Sequence, residues 1–113
     1  MNIAIILSGG VGTRMGEACP KQYIKVADKP IINYCVKTFC NNPRIDKIVI
    51  CLADEWRAFV EESLKDIVTT QSIIYSKPGH TRQFTIYNAL EKLESIGIAS
   101  DDVVIIHDAA RPL

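Results

Sequence analysis

The chain has 113 residues, of which 48% are hydrophobic, 23% charged and 7% aromatic. This length and composition predict a single globular domain over residues 1–113 and exclude a disordered, collagen-like or two-domain protein. Thirteen Lys and Arg balance thirteen Asp and Glu, so no basic field indicates a nucleic acid as a partner.

Membrane segments and targeting signals are not expected. The longest apolar run, residues 48–53, is far shorter than the roughly 20 residues that a spanning helix needs. Residues 1–8 lack the charged start and the cleavage site of a signal peptide. The sequence therefore predicts a cytoplasmic protein without a membrane partner.

The cysteines favour buried thiols over a disulfide or zinc framework. They show neither a C-x-x-C spacing nor a paired histidine. The four are Cys19, Cys35, Cys40 and Cys51.

Four β-branched, apolar runs predict strands in chain order. The first run ends at a glycine loop, and the second follows the turn-like residues 41–43 (NNP). The predicted strands are residues 2–7, 47–52, 72–75 and 102–106.

Three segments between these strands show the apolar repeat of a helix. The first begins behind Pro30, and the third ends at Gly97, a residue typical of the position after a helix. Asp54 and Glu55 lie in the first turn of the second, where the helix dipole favours acids. The apolar stripes are Ile31, Cys35 and Phe39; Trp56, Phe59, Val60, Leu64 and Ile67; and Ile86, Leu90 and Leu93.

The order β-α-β-α-β-α-β predicts an α/β fold, a Rossmann-like three-layer sandwich around a mostly parallel sheet. In such a sheet ligands bind beyond the carboxyl ends of the strands. The unusual residues follow the strands there, as residues 8–23, 76–83 and 107–112. Because the sequence stops directly after the last of these loops, we expect an amino-terminal half, truncated after the fourth strand.

The loop after the first strand combines glycines with cations. The glycines of residues 9–12 (GGVG) let backbone N–H groups approach a phosphate, and Arg14 and Lys21 supply the charges that a polyphosphate needs. Met15 excludes the dinucleotide fingerprint, and no P-loop can be drawn. A glycine turn that serves chain geometry alone, with a solvated cation pair, is the alternative.

Two other strand ends carry candidate ligands. Asp108 can take a hard cation such as Mg²⁺, or can cap the next element. Residues 79–82 (GHTR) open a helix, so its free N–H groups and Arg82 could read a base edge or an anion, whereas an ordinary N-cap at Thr81 is the alternative. His107 ends a buried strand, which favours a structural role.

Together these motifs resemble a known family. Residues 8–16 (SGGVGTRMG), 20–23 (PKQY), 29–31 (KPI), 79–82 (GHTR) and 107–112 (HDAARP) are similar to the 2-C-methyl-D-erythritol 4-phosphate cytidylyltransferases and the related ribitol 5-phosphate cytidylyltransferases. The resemblance runs through the whole chain. It implies the nucleotide-diphospho-sugar transferase type of fold.

The resemblance also implies an activity and a set of site residues. CMP passes from CTP to a small polyol phosphate, pyrophosphate leaves, and Mg²⁺ or another divalent cation assists, in isoprenoid biosynthesis. Arg14 and Lys21 are then catalytic, Asp108 holds the metal, and the full-length protein is a homodimer. The implied nucleotide-binding residues are Ser8, Gly9, Gly10, Gly12, Gly79, His80, Arg82, Thr85 and Ala109.

The sequence departs from the family in three ways. The extra glycine of residues 7–10 (LSGG) favours ribitol 5-phosphate as acceptor. His80 replaces an acidic or small residue. The chain is also shorter, so a second metal ligand and the acceptor-binding residues fall outside it, and we expect these 113 residues alone to be inactive. Another sugar-phosphate nucleotidyltransferase and a truncated, non-catalytic nucleotide-binding module are the alternatives.

Overall fold

A parallel sheet with helices on both faces organises the chain. The structure is a computed structural model that describes residues 1–8, 21–99 and 101–109. The strands are β1 (Asn2–Ser8), β2 (Lys25–Val26), β3 (Lys29–Pro30), β4 (Lys47–Leu52), β5 (Ser72–Ser76) and β6 (Val103–Asp108). The helices are α1 (Ile31–Cys40), α2 (Asp54–Leu64) and α3 (Arg82–Ser95), and a short 3-10 helix spans Lys21–Tyr23.

Four strands form the sheet in the order β5-β4-β1-β6, with every neighbouring pair parallel. The centre of β1, from Ile3 to Ile6, is fully buried. A near-continuous apolar run is what a strand covered on both faces requires. The predicted α/β fold with a mostly parallel sheet is confirmed.

The helices divide between the two faces of the sheet. On one face α1 and α2 pack on Ala4, Ile6 and Ile50. On the other, α3 packs through Ala89 and Leu93 on the opposite side of β1 and β4. This arrangement gives the three layers expected from alternating strands and helices.

The element boundaries agree with the predictions to within about two residues, a normal margin for helix and strand ends. The fourth strand is shifted, because it begins at Val103 and continues through His107 to Asp108. Pro30 immediately precedes α1 as its N-cap. Gly97, with a φ of +88°, lies in the left-handed region just after α3, as predicted.

The predicted stripe of α3 is wrong at one position. Leu90 is 38% exposed, whereas Thr85, Ala89 and Leu93 are buried. The buried residues follow an exact four-residue spacing, so one side of the helix faces the sheet, and the small side chain of Ala89 permits a close approach. Leu90 is turned about 100° away from Ala89 around the helix axis.

A small hairpin was not predicted from the sequence. Strands β2 and β3 pair antiparallel, and Ala27 and Asp28 between them have φ values of 51° and 71°. Positive φ at both central residues is typical of a type I′ turn, which glycine and asparagine usually form. The hairpin leads directly into α1, where the Ile31 amide donates to the Ile24 carbonyl over 3.0 Å.

The prediction of unpaired thiols agrees with the three cysteines that the structure describes. Cys35, Cys40 and Cys51 are unpaired. Cys35 and Cys51 are buried, and burial raises the pKa of each thiol to about 12. Cys19 lies outside the described residues. None of the helices that the structure describes is long and apolar enough to cross a membrane.

Candidate functional site

The candidate site lies at the carboxyl ends of β1 and β6. From β1 the chain crosses to β4 and β5 on one side and later returns to β6 on the other, so the connection changes direction between β1 and β6. Ligands of open α/β sheets bind at such a switch point. Leu7 pairs with Asp108 there, and the Ala109 amide donates to the Leu7 carbonyl over 3.0 Å.

Three hydrogen bonds tie the end of β1 to the 3-10 helix. The Ser8 hydroxyl donates to Tyr23 Oη over 2.8 Å, and the Tyr23 hydroxyl donates to the Ser8 carbonyl over 3.2 Å. Gln22 Nε2 donates to the same carbonyl over 3.2 Å. All three side chains are buried, so these bonds are shielded from water. We call Ser8, Gln22 and Tyr23 the β1 clamp.

An aromatic cluster supports the β1 clamp from behind. The Tyr23 ring stacks on Trp56 of α2 with centroids 4.4 Å apart, and it meets the Phe59 ring edge-on at 5.7 Å. Tyr23 is only 2% exposed. Aromatic pairs at such distances contribute beyond the area they bury. The position of the 3-10 helix is therefore fixed by both β1 and α2.

The loop before α3 is shaped by two threonines. The Gly79 amide donates to Thr85 Oγ1 over 2.9 Å, and the Thr85 hydroxyl donates to the Thr81 carbonyl over 3.0 Å. Thr81 caps the helix by accepting from the Phe84 amide over 3.2 Å. A Cβ added at Gly79 would lie 2.4 Å from the Phe84 Cβ, so the loop requires glycine there.

Arg82 joins this loop to the end of β6. Its Nε lies 3.7 Å from Oδ1 of Asp108. The side chains are 58% and 32% exposed, so the ion pair faces solvent and a ligand can reach both groups. Residues from the third and fourth strand-end motifs therefore meet beside β1.

His107 points away from this group. Successive residues of a strand face opposite sides, so the imidazole lies on the α1 side of the sheet. There it meets the Phe39 ring edge-on, with centroids 5.8 Å apart. This contact agrees with the predicted structural role.

The structure brings together many, but not all, of the residues that the sequence singled out. Arg82, Asp108 and Ala109 meet at the switch point, whereas the Ser8 side chain faces the other side of the sheet and contacts Tyr23. His80 is exposed just before α3. The side chain of Lys21 lies outside the described part of the structure, as do Gly9, Gly10, Gly12 and Arg14.

Gln22 and Tyr23 are the site residues that sequence reasoning missed. Both belong to the PKQY motif, but apolar periodicity carries no information about a hydrogen bond to a residue 14 or 15 positions earlier. The sequence feature that could have indicated them is that a glutamine and a tyrosine directly follow a candidate catalytic lysine.

No group of three or more His, Cys, Asp or Glu that could hold a metal ion occurs among the described residues. A fully protein-coordinated site is therefore not found in that part of the chain. A cation that takes one carboxylate and several phosphate oxygens remains compatible with Asp108.

A groove lies beside β5 and shares none of the predicted site residues. It has a volume of about 610 Å³. Two of its cations already have partners, since the Arg57 guanidinium lies 4.7 Å from the centroid of the Tyr75 ring and Lys77 Nζ lies 3.9 Å from Oδ2 of Asp54. Size alone therefore does not indicate the ligand site.

Comparison with known families covers nearly the whole chain. The family model for IspD, 2-C-methyl-D-erythritol 4-phosphate cytidylyltransferase, matches residues 2–113. The chain belongs to this cytidylyltransferase family. The resemblance stated from the sequence motifs is confirmed.

Relatives within the cytidylyltransferase family carry two different names. A 2-C-methyl-D-erythritol 4-phosphate cytidylyltransferase of Clostridium beijerinckii is 38% identical over 109 residues, which are 96% of this chain and 46% of that protein. A ribitol-5-phosphate cytidylyltransferase of Lacticaseibacillus paracasei is also 38% identical, over all of this chain and 48% of that protein. The chain thus spans about half the length of the curated relatives it matches.

Solved cytidylyltransferase structures share the fold. The 2-C-methyl-D-erythritol 4-phosphate cytidylyltransferase of Francisella tularensis superimposes with a TM-score of 0.71 at 34% identity, over 98% of this chain and 45% of that one. A 4-diphosphocytidyl-2C-methyl-D-erythritol synthase of Anaerococcus prevotii gives 0.74 at 21% identity, over 99% of this chain and 44% of that one.

Proposed function

We propose that this chain binds CTP at the carboxyl ends of β1 and β6 and forms the nucleotide half of a cytidylyltransferase site. One observation carries the proposal: Arg82 and Asp108, from two separate motifs, meet at 3.7 Å beside the end of β1. Membership of the cytidylyltransferase family supports CTP as the nucleotide.

The complete reaction is transfer of CMP from CTP to 2-C-methyl-D-erythritol 4-phosphate. An oxygen of the acceptor phosphate forms a bond to the α-phosphorus of CTP. The bond from that phosphorus to the β-phosphate oxygen breaks, and pyrophosphate leaves with the electron pair. Arg14 and Lys21 stabilise the charge that develops on the phosphate oxygens. An ionised phosphate nucleophile needs no general base, so His107 takes no part.

The remaining residues seat the nucleotide. The backbone of Gly9, Gly10 and Gly12 holds the triphosphate. Ser8 acts through the β1 clamp, because its hydroxyl and carbonyl are already bonded to Tyr23 and Gln22. The cytidine lies against Gly79, His80 and Arg82, with the ribose near Ala109. Thr85 acts on this loop through Gly79, because its hydroxyl already accepts from the Gly79 amide.

Asp108 is the proposed ligand of Mg²⁺ or another divalent cation. The donor chemistry fits, because Mg²⁺ is commonly bound through one or two carboxylates plus substrate phosphates, and Asp108 is a partly exposed carboxylate at the switch point. When bound, the cation offsets phosphate charge. Arg82 lies 3.7 Å from the same carboxylate, so a bound cation would compete with the guanidinium for Asp108.

A second acceptor, ribitol 5-phosphate, has its own support. Relatives named for ribitol-5-phosphate match this chain as well as those named for 2-C-methyl-D-erythritol 4-phosphate. The extra glycine at residues 9–10 favours it further. The alternative functions are transfer to another sugar phosphate and nucleotide binding without turnover. We also predict that the full-length protein forms a homodimer and is cytoplasmic.

Thermal melting with four nucleotides tests the proposal. The chain is melted with Mg²⁺ alone and then with CTP, UTP, ATP or GTP. A ligand at a hundredfold excess over its Kd stabilises the native state by about 2.7 kcal/mol, which raises the melting temperature by several degrees. We expect this rise with CTP only; an equal rise with all four nucleotides, or none, contradicts the proposal.

Pyrophosphate release distinguishes the enzyme from the module. The 113-residue chain is incubated with CTP, Mg²⁺ and each polyol phosphate in turn. We expect CTP binding without pyrophosphate release, because the acceptor-binding residues implied by the family lie outside this sequence. Release with one acceptor would identify the substrate and refute the expected inactivity.

A further inference from the structure

The β1 clamp connects two parts of the candidate site that lie apart in the sequence. Ser8 is the last residue of β1, and Lys21 opens the 3-10 helix whose next two residues hold Ser8. Residues 9–20, which include Arg14, connect the two sides of the β1 clamp. The clamp therefore fixes the backbone of Lys21 relative to the switch point.

The hydrogen-bond chemistry makes this connection specific. The Ser8 carbonyl accepts from both Gln22 and Tyr23, and the Ser8 hydroxyl donates back to Tyr23. Removing one partner of such a bond leaves a buried polar group unsatisfied, which destabilises the protein. A one-residue shift of the 3-10 helix would break all three bonds, so the register of Lys21 is defined.

The aromatic support explains why a tyrosine stands at position 23. Stacking on Trp56 needs an aromatic ring, and the bonds to Ser8 need a hydroxyl at its far end. Phenylalanine satisfies the first requirement alone. The two requirements can therefore be separated by experiment.

We infer that Tyr23, assisted by Gln22, is a positioning residue that holds Lys21 at the carboxyl end of β1 for contact with the nucleotide phosphates. The inference deepens the proposed function and rests on it. Tyr23 does not touch the nucleotide; it acts through Lys21. Loss of the Tyr23 hydroxyl should therefore weaken CTP binding only while Lys21 is present.

A double-mutant cycle tests this dependence. CTP binding in the presence of Mg²⁺ is measured by calorimetry for the 113-residue chain, Tyr23→Phe, Lys21→Ala and the double variant. Losing about 1 kcal/mol of hydrogen bonding corresponds to roughly a fivefold weaker Kd. We expect that loss for Tyr23→Phe in the original chain and less than about twofold in the Lys21→Ala background.

Tyr34→Phe is the matched control. Tyr34 also donates its hydroxyl to a backbone carbonyl, that of Val26, but it belongs to α1 and the hairpin. We expect its CTP affinity to equal that of the original chain. If Tyr23→Phe folds poorly, a second variant, Ser8→Ala with Tyr23→Phe, removes the Ser8 hydroxyl donor together with its acceptor.

Hydrogen–deuterium exchange over residues 21–24 provides a readout besides affinity. Exchange should accelerate in Tyr23→Phe and stay unchanged in Tyr34→Phe. Unchanged exchange in Tyr23→Phe overturns the inference. So does CTP binding in which the Tyr23 and Lys21 effects simply add. A chain that binds no CTP overturns the proposed function, and the positioning role with it.

Discussion

At the scale of single residues, the candidate site depends on positions where one atom decides the geometry. Gly79 is the strictest, because its missing Cβ makes room for Phe84 and Thr85. The sequence could indicate a glycine loop here. It could not show that the glycine is required by contact with the first turn of α3, since that contact depends on the path of the loop.

Gly79→Ala should abolish the CTP-dependent rise in melting temperature, because the new Cβ forces residues 79–85 to move. Gly97→Ala is the control: it meets nothing within 4 Å, but its φ is +88°. That strain should cost about 1 kcal/mol of unfolding free energy and leave the CTP response intact. An unchanged response in Gly79→Ala would show that the nucleotide does not need this loop shape.

Asp108→Asn should weaken CTP binding in Mg²⁺ but not in EDTA, because the amide loses the charge that a hard cation prefers. Stability should change by less than about 1 kcal/mol, since the ion pair with Arg82 is partly exposed. Calorimetric titration under both conditions measures the difference, with the exposed Asp101→Asn as control. An equal loss in EDTA would assign Asp108 to the nucleotide itself.

The two buried thiols should make the protein less stable in alkali. Burial raises the pKa of Cys35 and Cys51 to about 12 from an ordinary value of 9.0. The unfolded chain therefore ionises first, and their contribution to stability is present below pH 9 and lost as the pH rises toward 12. The loss approaches about 1.4 kcal/mol per pH unit for each thiol.

Urea unfolding between pH 8 and 11 checks this expectation. Cys51→Ala should lower stability at neutral pH through the cavity it leaves, yet show a shallower decline in alkali. Cys40→Ala is unfolded in the same way for comparison, because Cys40 is only half-buried. A decline equally steep in Cys51→Ala would mean that other groups control the alkaline transition.

At the scale of elements, strands were easier to predict than turns. Strands β1, β4, β5 and β6 all follow apolar, β-branched runs, and the central strands β1 and β4 are buried on both faces. The hairpin of β2 and β3 escaped prediction because each strand has two residues and the turn is Ala27-Asp28, without the usual glycine. Leu90 was misplaced because its apolar character alone does not tell which side of α3 faces the sheet.

Ala27→Gly should stabilise the protein, because alanine at a φ of 51° carries a steric cost that glycine avoids. Ala58→Gly is the same chemical change on the exposed face of α2, where glycine is about 1 kcal/mol worse than alanine. Thermal or urea unfolding should therefore move in opposite directions for the two variants. A loss of stability in both would place the hairpin turn in a conformation that alanine tolerates.

At the scale of the whole molecule, the outer strand of the sheet leaves apolar side chains open to solvent. On β6, Val103 is 53% exposed, Ile105 41% and Ile106 39%. Exposed apolar side chains and a strand edge both favour association with other chains. The sequence indicated an apolar strand but not its place at the end of the sheet order.

We expect the chain to self-associate as its concentration rises. The variant Ile105→Lys should reduce this self-association and leave the melting temperature nearly unchanged. Sedimentation velocity over a range of concentrations measures it. Ile5→Lys, at a fully buried position of β1, should prevent folding instead. Association that persists unchanged in Ile105→Lys would assign the contact to another surface.

The stacking of Tyr23 on Trp56 has an optical consequence. Trp56 is the single tryptophan of the sequence, and its indole lies 4.4 Å from the ring that bonds to the end of β1. The emission spectrum of the protein's tryptophan therefore depends on the surroundings of the β1 clamp. Any ligand that rearranges that place should change the fluorescence of the unlabelled protein, which allows rapid-mixing measurements without an added dye.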